Sequence, residues 1–592
     1  MPDATPTDAP DTSETADLAG SSAGLASITD LTSRIGGLSK RWTAPLILEL
    51  DLTEGLAEGP PSDPVSALLT MRRSRLAELL DGLRRARTDD RVKALVVRLG
   101  GRRMGLGLVQ ELRDAIEEFG RSGKLTVAWA ESFGDFSSGN LPYYLATAFD
   151  QIFLQPSGDL GLTGVAVQHV FLRSAMDRLG VDYEVGKRHE YKSAAEMMTE
   201  DGFTGPSREA NERLAASITE QLTAAIAGRR GIDAQQARAL IDRGPFLAAE
   251  ALEERLVDAL GYRDEVYAWV RKRAGRDATL QYLARYRRSH MLARRVRTLP
   301  NPKERYVALI HASGPIRSGR SGRGPLSGSA MGSDTIASAL RTAAKDDKVQ
   351  AILLRVNSPG GSYVASDTIW REVVRARGIG KPVIASMGDV AASGGYFISM
   401  AADVIVAQPG TLTGSIGVIF AKPVVRELLG RAGISTDAVA EGAHATMFTP
   451  TRPFSEEEWG RINSWLDRIY ADFTGKVAQG RRMTAEQVDA VARGRVWTGA
   501  DAVGHGLVDE LGGLETAAAH ARSRAGLSGD APVRLYPRTG PLDRLRPPSS
   551  SEHAAAALPG FAEAWGPVSA LAARAGLPPF GPLMLPGSWK IE

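Results

Sequence analysis

The sequence predicts an α/β protein built twice: a tandem duplication of one domain, each copy a mainly parallel sheet flanked by helices. Three observations predict it. A chain of 592 residues is longer than one hydrophobic core supports. Short β-branched runs ("ALVVRL", "LTVAWA", "AILLRV", "PVIASM", "DVIVAQ") alternate with amphipathic stretches such as "SDTIWREVVRARG", the pattern of βαβ units. The same succession of motifs also recurs: Val349 answers Val92 and Asp509 answers Asp258, an offset that drifts from 257 to 251 residues as small loop changes would produce.

Residues 1–42 read as a disordered acidic tail. The first thirty carry six acidic residues and no Lys or Arg, so they lack the basic start of a secretory signal. No uncharged apolar run reaches about 18 residues anywhere in the chain, so no membrane-spanning helix is expected. The expected location is the cytoplasm or peripheral association with the cell membrane.

The first repeat is placed at 43–298 and the second at 299–540. "RVKALVVRLGG" (Arg91 to Gly101) aligns with "KVQAILLRVNSPGG" (Lys348 to Gly361), and "RGPFLAAEALEERLVDALG" with "GRVWTGADAVGHGLVDELG". The near-continuous apolar character of the strands predicts sheets buried on both faces. Each repeat then carries a long helix, "SREANERLAASITEQLTAAIAGRRG" and "SEEEWGRINSWLDRIYADFTGKVAQGRR", each opening with Ser and Glu at capping positions.

Between the repeats, Arg271 to Arg305 is basic and ends in "LPNPKER", where two prolines mark a break. It reads as a solvated helix face plus linker, with contact to anionic lipid heads as the sharper alternative. Residues 541–592 form a Pro/Gly/Ala-rich tail whose apolar residues, as in "GLPPFGPLMLPGSW", follow no helical period. A loose tail, or an apolar strap onto the core or a neighbouring subunit, is preferred there to a membrane contact.

Composition excludes several functions. Hydrophobic residues at 43% and charged residues at 24% are those of an ordinary globular protein, and a net charge of +3 gives no reason to expect nucleic acid. With no cysteine there is no disulfide, thiolate metal site or cysteine nucleophile. There is no H-E-x-x-H, and "EEFGRSGKLT" lacks the upstream glycine of a P-loop, so neither metal nor cofactor is expected.

The chemistry-bearing stretch is "GDVAASGGYF", Gly388 to Phe397. Ser393 stands between the strand-like "KPVIASMGD" and "GGYFISMAAD", which can run as a helix. Backbone N–H groups at such a junction can hold a developing oxyanion. A second set of donors is expected at "NSPGGS", where Gly360 and Gly361 let the backbone approach a substrate. In a parallel α/β sheet both turns open on one crevice. Small residues also serve tight helix packing, so the serine needs a base to be read as catalytic.

None of the eight histidines lies in a compact motif with an acidic partner, although a triad drawn from distant positions stays open. A buried lysine is the alternative, and "HEYKSAAEMMT" offers Lys192. Aligning the repeats through Val185 and Val439 puts Thr446 opposite Lys192. The second repeat thus has the serine turn without the lysine, and the first has the lysine with an altered serine turn. Together they supply one Ser-Lys pair, provided the repeats pack face to face.

"NSPGGS", "GDVAASGGYF", "TGSIGV" (Thr413 to Val418), "EYKSAAE" and the tandem arrangement together resemble the long, duplicated form of the signal peptide peptidase A (protease IV) family. These are Ser-Lys serine peptidases of ClpP/crotonase-like fold, and the resemblance covers roughly residues 45–540. It implies Ser393 as nucleophile and Lys192 as general base. It implies an oxyanion hole from Gly394 with Gly360 or Gly361, and extended apolar peptide added as a strand along Thr413, Gly414, Ser415 and Ile416. It also implies a homotetramer. Long family members usually carry an N-terminal membrane anchor where this chain has an acidic tail, so the side of the membrane stays open. Two other classes remain: a crotonase-like enzyme acting on acyl-CoA, which needs no serine nucleophile, and a non-catalytic peptide-binding scaffold.

Overall fold

A computed structural model of the chain describes residues 44–59, 73–101, 104–297, 304–324, 328–537 and 582–585. The acidic tail read over 1–42, the proline break at 299–303 and the distal tail apart from 582–585 lie outside the described residues.

The first half runs β1 (Leu46–Asp51), α1 (Leu76–Arg87), β2 (Val92–Leu99), α2 (Leu106–Gly120), β3 (Leu125–Ala130), β4 (Gln151–Leu154), β5 (Asp182–Lys187), α3 (Gly205–Arg230), β6 (Ala259–Leu260) and β7 (Thr279–Tyr282). Its main sheet has the order β6-β4-β3-β2-β1-β7, every neighbouring pair parallel.

The second half repeats the plan with β8 (Tyr306–Ser313), β9 (Val349–Ser358), β10 (Gly360–Gly361), α4 (Tyr363–Gly378), β11 (Val383–Ala392), α5 (Gly394–Ser399), β12 (Val404–Ala407), β13 (Leu412–Gly414), β14 (Ile419–Val424), α6 (Glu456–Arg481), β15 (Val496–Thr498), β16 (Glu510–Leu511), α7 (Leu514–Arg524) and β17 (Val533–Leu535). Strands β16-β12-β11-β9-β8-β17 reproduce the first order strand for strand, again all parallel. A last strand, β18 (Leu583–Met584), lies antiparallel to β10.

Alternation along the central strands shows why they read as continuous apolar runs. In β8, Val307 and Leu309 point into one core while Tyr306, Ala308 and Ile310 point into another. The first of these cores is shared between the halves: Leu79, Leu83, Leu108 and Leu112 pack in it with Leu353, Ile384, Val406 and Ala517. The repeats therefore meet face to face over a common apolar layer, which is the condition the Ser-Lys pairing requires.

Both long helices form, with different starts. Ser455 and Glu458 make a reciprocal capping box on α6. On α3 the cap is Thr204 rather than Ser207, because Pro206 needs no N–H partner and starts the helix inside its first turn. The basic region includes the helix Leu283–Arg297, in which Leu283 and Tyr286 are buried, Tyr286 donates to Asp89 at 3.0 Å and Arg287 bonds Asp81 at 3.3 Å. This helix packs on α1, in line with a helix face plus linker. Among the described residues no helix is long and apolar enough to cross a membrane.

Polar bonds lock the interface as well. The guanidinium of Arg355, on β9, is fully buried and bonds Glu58 at 2.8 Å, Ser386 at 2.9 Å and the carbonyl of Met387 at 3.1 Å, and it also pairs with Glu111 of α2. Glu58 in turn accepts from Asn357. Asp389, between β11's apolar part and its tip, accepts from the N–H of Leu108 at 2.8 Å and so satisfies a free donor in the first turn of α2.

Candidate active site

Two local features present Ser393. Strand β11 pairs with β13 over Val390–Ala392, and the amide of Ser393 donates to the carbonyl of Gly414 at 2.8 Å. The chain then turns abruptly into α5, holding Ser393 at φ 55°, a value uncommon for a residue with a side chain. Strain of this kind persists where surrounding bonds over-determine it. Here the Gly414 bond and the following helix do so.

Lys192 arrives from the other half. Strand β5 of the first half leaves its own sheet and pairs antiparallel with β14 of the second, from Asp182↔Val424 to Lys187↔Ile419. The chain continues through Arg188, whose amide donates to the carbonyl of Val418 at 3.2 Å, and reaches Lys192 beside Ser393. Lys192 Nζ lies 2.9 Å from Ser393 Oγ, 2.9 Å from Ser415 Oγ and 3.1 Å from the Ser415 carbonyl. Ser393, Lys192 and Ser415 are all fully buried. Burial with no compensating carboxylate pushes the Lys192 ammonium down to about 7. Among the described residues, His311 lies beside Glu58, His505 against Trp497, His520 on Glu510 and His189 against Tyr470.

Gly394 follows the serine directly and packs on the β10 turn. A Cβ at Gly394 would lie 3.0 Å from Gly360 Cα and 3.1 Å from the Gly361 amide nitrogen, so only glycine allows this approach. The amide of Gly360 donates to Ser358 Oγ at 3.2 Å.

A buried amine whose proton affinity is lowered to about 7 lies on the hydroxyl of a serine held at positive φ beside a glycine turn, an arrangement in which the amine can take the hydroxyl proton. Comparison with known proteins gives the class. The model for peptidase family S49 matches residues 118–277 and 375–528, one segment in each repeat. The chain belongs to peptidase family S49.

Curated relatives agree with the family. "Protease 4" of Salmonella typhi is 35% identical over 469 residues, spanning 77% of this chain and 73% of that protein. "Serine protease SPPA, chloroplastic" of Arabidopsis thaliana is 31% identical over 79% of this chain and 68% of its own length. The "Putative signal peptide peptidase SppA" of Enterococcus faecium is 38% identical over 30% of this chain and 52% of its own. This S49 chain is a serine peptidase of duplicated α/β fold.

The four residues read as a peptide-binding edge lie against the serine and lysine. Thr413 Oγ1 donates to the Ala391 carbonyl at 2.8 Å, Gly414 holds Ser393, Ser415 bonds Lys192, and the Ile416 carbonyl accepts from Gly494 at 2.7 Å. Close by, the Pro359 carbonyl accepts from the Leu585 amide at 2.8 Å and the Ile419 amide donates to the Pro582 carbonyl at 3.0 Å, both bonds to the segment around β18.

Gly494 and Gly417 escaped the sequence reading, although Gly494 opens the repeat motif "GRVWTGADAVGHG". Gly494 has φ +88°, and a Cβ there would lie 2.5 Å from the Lys192 amide nitrogen and 2.7 Å from its Cα. A Cβ at Gly417 would lie 3.3 Å from Lys192 Cδ. These two glycines clear the channel in which the lysine runs. Gly494→Ala is expected to lower kcat/KM for peptide hydrolysis about 100-fold, since a shift of about 1 Å in a catalytic group has that effect. Steady-state kinetics beside an unchanged far-UV circular dichroism spectrum checks it.

Proposed function

We propose that the chain is a Ser-Lys endopeptidase that cleaves extended apolar peptides, with released signal peptides as the substrate class. Ser393 is the nucleophile and Lys192 the general base. The observation that carries this reading is the 2.9 Å contact between a buried amine and the serine hydroxyl.

Neutral Lys192 accepts the Ser393 proton as Oγ attacks the peptide carbonyl carbon. The carbonyl oxygen becomes an oxyanion held by the amide of Gly394 and one from the Gly360–Gly361 turn. Lysine then protonates the leaving amine, and an acyl-enzyme remains. Water attacks the ester with its proton passing to Lys192, and the serine is regenerated. Ser415 fixes the amine's direction through its hydroxyl and carbonyl. Assembly as a homotetramer, and a cytoplasmic or membrane-peripheral location, belong to the same reading. An acyl-CoA enzyme of this fold would have no use for the lysine on the serine.

Lysine must be neutral to act, so the pH profile tests the proposal. With its pKa pushed down to about 7, kcat/KM and the rate of Ser393 labelling by a fluorophosphonate are expected to fall tenfold per pH unit below about 7 and to level off above it. Absence of labelling at pH 8, or labelling undiminished at pH 5, would sink the dyad.

A further inference from the structure

Strand β18 sits in the cleft beside this site. Gly360 pairs with Met584 and Gly361 with Leu583 in antiparallel register. The amide of Leu585 donates to the Pro359 carbonyl at 2.8 Å, and on the opposite edge the Ile419 amide donates to the Pro582 carbonyl at 3.0 Å. The segment is thus bonded along one edge to the glycine turn and at its start to β14.

Their side chains are held as firmly. Leu583 is 0% exposed, Met584 5% and Leu585 3%. Alternate residues of a strand share a face, and Leu583 and Leu585 each enter an apolar cluster. Leu583 joins the core of the second half, while Leu585 packs with Leu214, Ala392, Leu412 and Val496. Leu214 belongs to the first half and Ala392 immediately precedes Ser393, so this segment spans the junction where the serine and lysine meet. The Leu583 carbonyl lies 2.1 Å, and the Gly394 amide nitrogen 2.7 Å, from the point a Cβ on Gly360 would occupy. The carbonyl therefore reaches the same small space as the amide assigned to the oxyanion.

We propose that Pro582–Leu585 is a resident ligand of the peptide cleft, an extended apolar segment of the chain itself that occupies the substrate's strand position and must leave before a peptide can bind. The proposal rests on the peptidase reading for its consequence in catalysis, and on the strand geometry alone for occupancy. It also defines the preferred ligand: an extended peptide with aliphatic side chains at two alternate positions. A tethered segment competes at an effective concentration of about millimolar, so it raises the apparent KM without altering the chemical step.

The test uses the full chain carrying Leu583→Asp and Leu585→Asp, with the milder Leu583→Ala/Leu585→Ala variant as a second case. A fluorescein-labelled peptide of sequence Pro-Leu-Met-Leu, residues 582–585, serves as probe, read by anisotropy. Both variants are expected to bind it at least tenfold more tightly than wild type, and their kcat/KM on an apolar fluorogenic peptide is expected to rise at least tenfold through KM. Equal binding by wild type and variants, or binding by none of them, overturns the proposal. Selective binding by the variants without hydrolysis by any protein upholds occupancy and removes the peptidase reading instead.

Discussion

Lys192→Met is expected to lower kcat for peptide hydrolysis by at least about 10³-fold while leaving the protein folded, and Ser393→Ala to do the same. Methionine keeps most of the volume and the apolar stem of lysine, so no cavity opens in a site that is fully buried. Only the proton acceptor 2.9 Å from Ser393 Oγ is removed. Loss of kcat with KM little changed is the pattern of a group that acts in the transition state.

Stability gives an independent reading of the same residue. The native pKa is pushed down to about 7 from the 10.5 of an ordinary lysine, so between those pH values the unfolded chain holds a proton that the native chain does not. Raising pH across this window therefore favours the native wild type, and lowering it imposes a penalty that is complete near pH 7 and below. A shift of this size corresponds to a penalty on the order of 4–5 kcal/mol. Methionine carries no such penalty. The Tm of Lys192→Met relative to wild type is expected to move in the variant's favour as pH falls from 10 to 6, and a pH-independent difference would show that the lysine is not charged and desolvated in this way. Hydrolysis that survives in Lys192→Met but not in Ser393→Ala would assign another base.

The second large effect is on stability. Arg355→Met is expected to destabilise the protein by about 3–5 kcal/mol, the usual result of removing one partner from a buried ionic cluster. Arg355 is 0% exposed and holds two carboxylates, Glu58 and Glu111, that come from the other half. Burial pushes both carboxyls up. At Glu58 the neighbouring Arg355 and the Asn357 hydrogen bond outweigh burial and hold it below the usual range, while Glu111 stays above it. Without the guanidinium both carboxylates are stranded in an apolar interface. The shortfall in the urea midpoint should shrink at pH 5, where the carboxyls take up protons, and the double variant Arg355→Met/Glu111→Gln should recover part of it. A midpoint within experimental error of wild type at pH 7 would mean that water enters the interface and solvates these groups. Because Asn357 and Ser358 lead into the Gly360 turn, the same variant should also lose activity by more than its unfolded fraction explains.

Much of this protein was legible in the sequence because it is encoded locally. Apolar runs of strand length, glycines after them and a motif order that recurs specify the strands, the turns and the duplication, and all of these appear in the two sheets of identical order. The candidate pair was legible by subtraction: one repeat has the serine turn without the lysine, the other has the lysine without that turn. The cap of α3 was misplaced by three residues because Ser207 and Glu209 imitate a start that Pro206 allows earlier.

What the sequence by itself determined, then, is the repeated α/β plan and the choice of Ser393 and Lys192 as the candidate pair. Tertiary structure decided that they meet. Residues 201 positions apart are brought to 2.9 Å by the β5–β14 pairing across the halves, a register that no local pattern contains. It also decided what they can do, because the lysine's proton affinity comes from complete burial, and the room for its side chain from Gly494 and Gly417 on a distant loop. The place of Leu583–Met584 was likewise invisible in sequence. The four described residues Pro582–Leu585 carry no periodicity of their own and take their conformation from the strand edge and the apolar clusters that receive them.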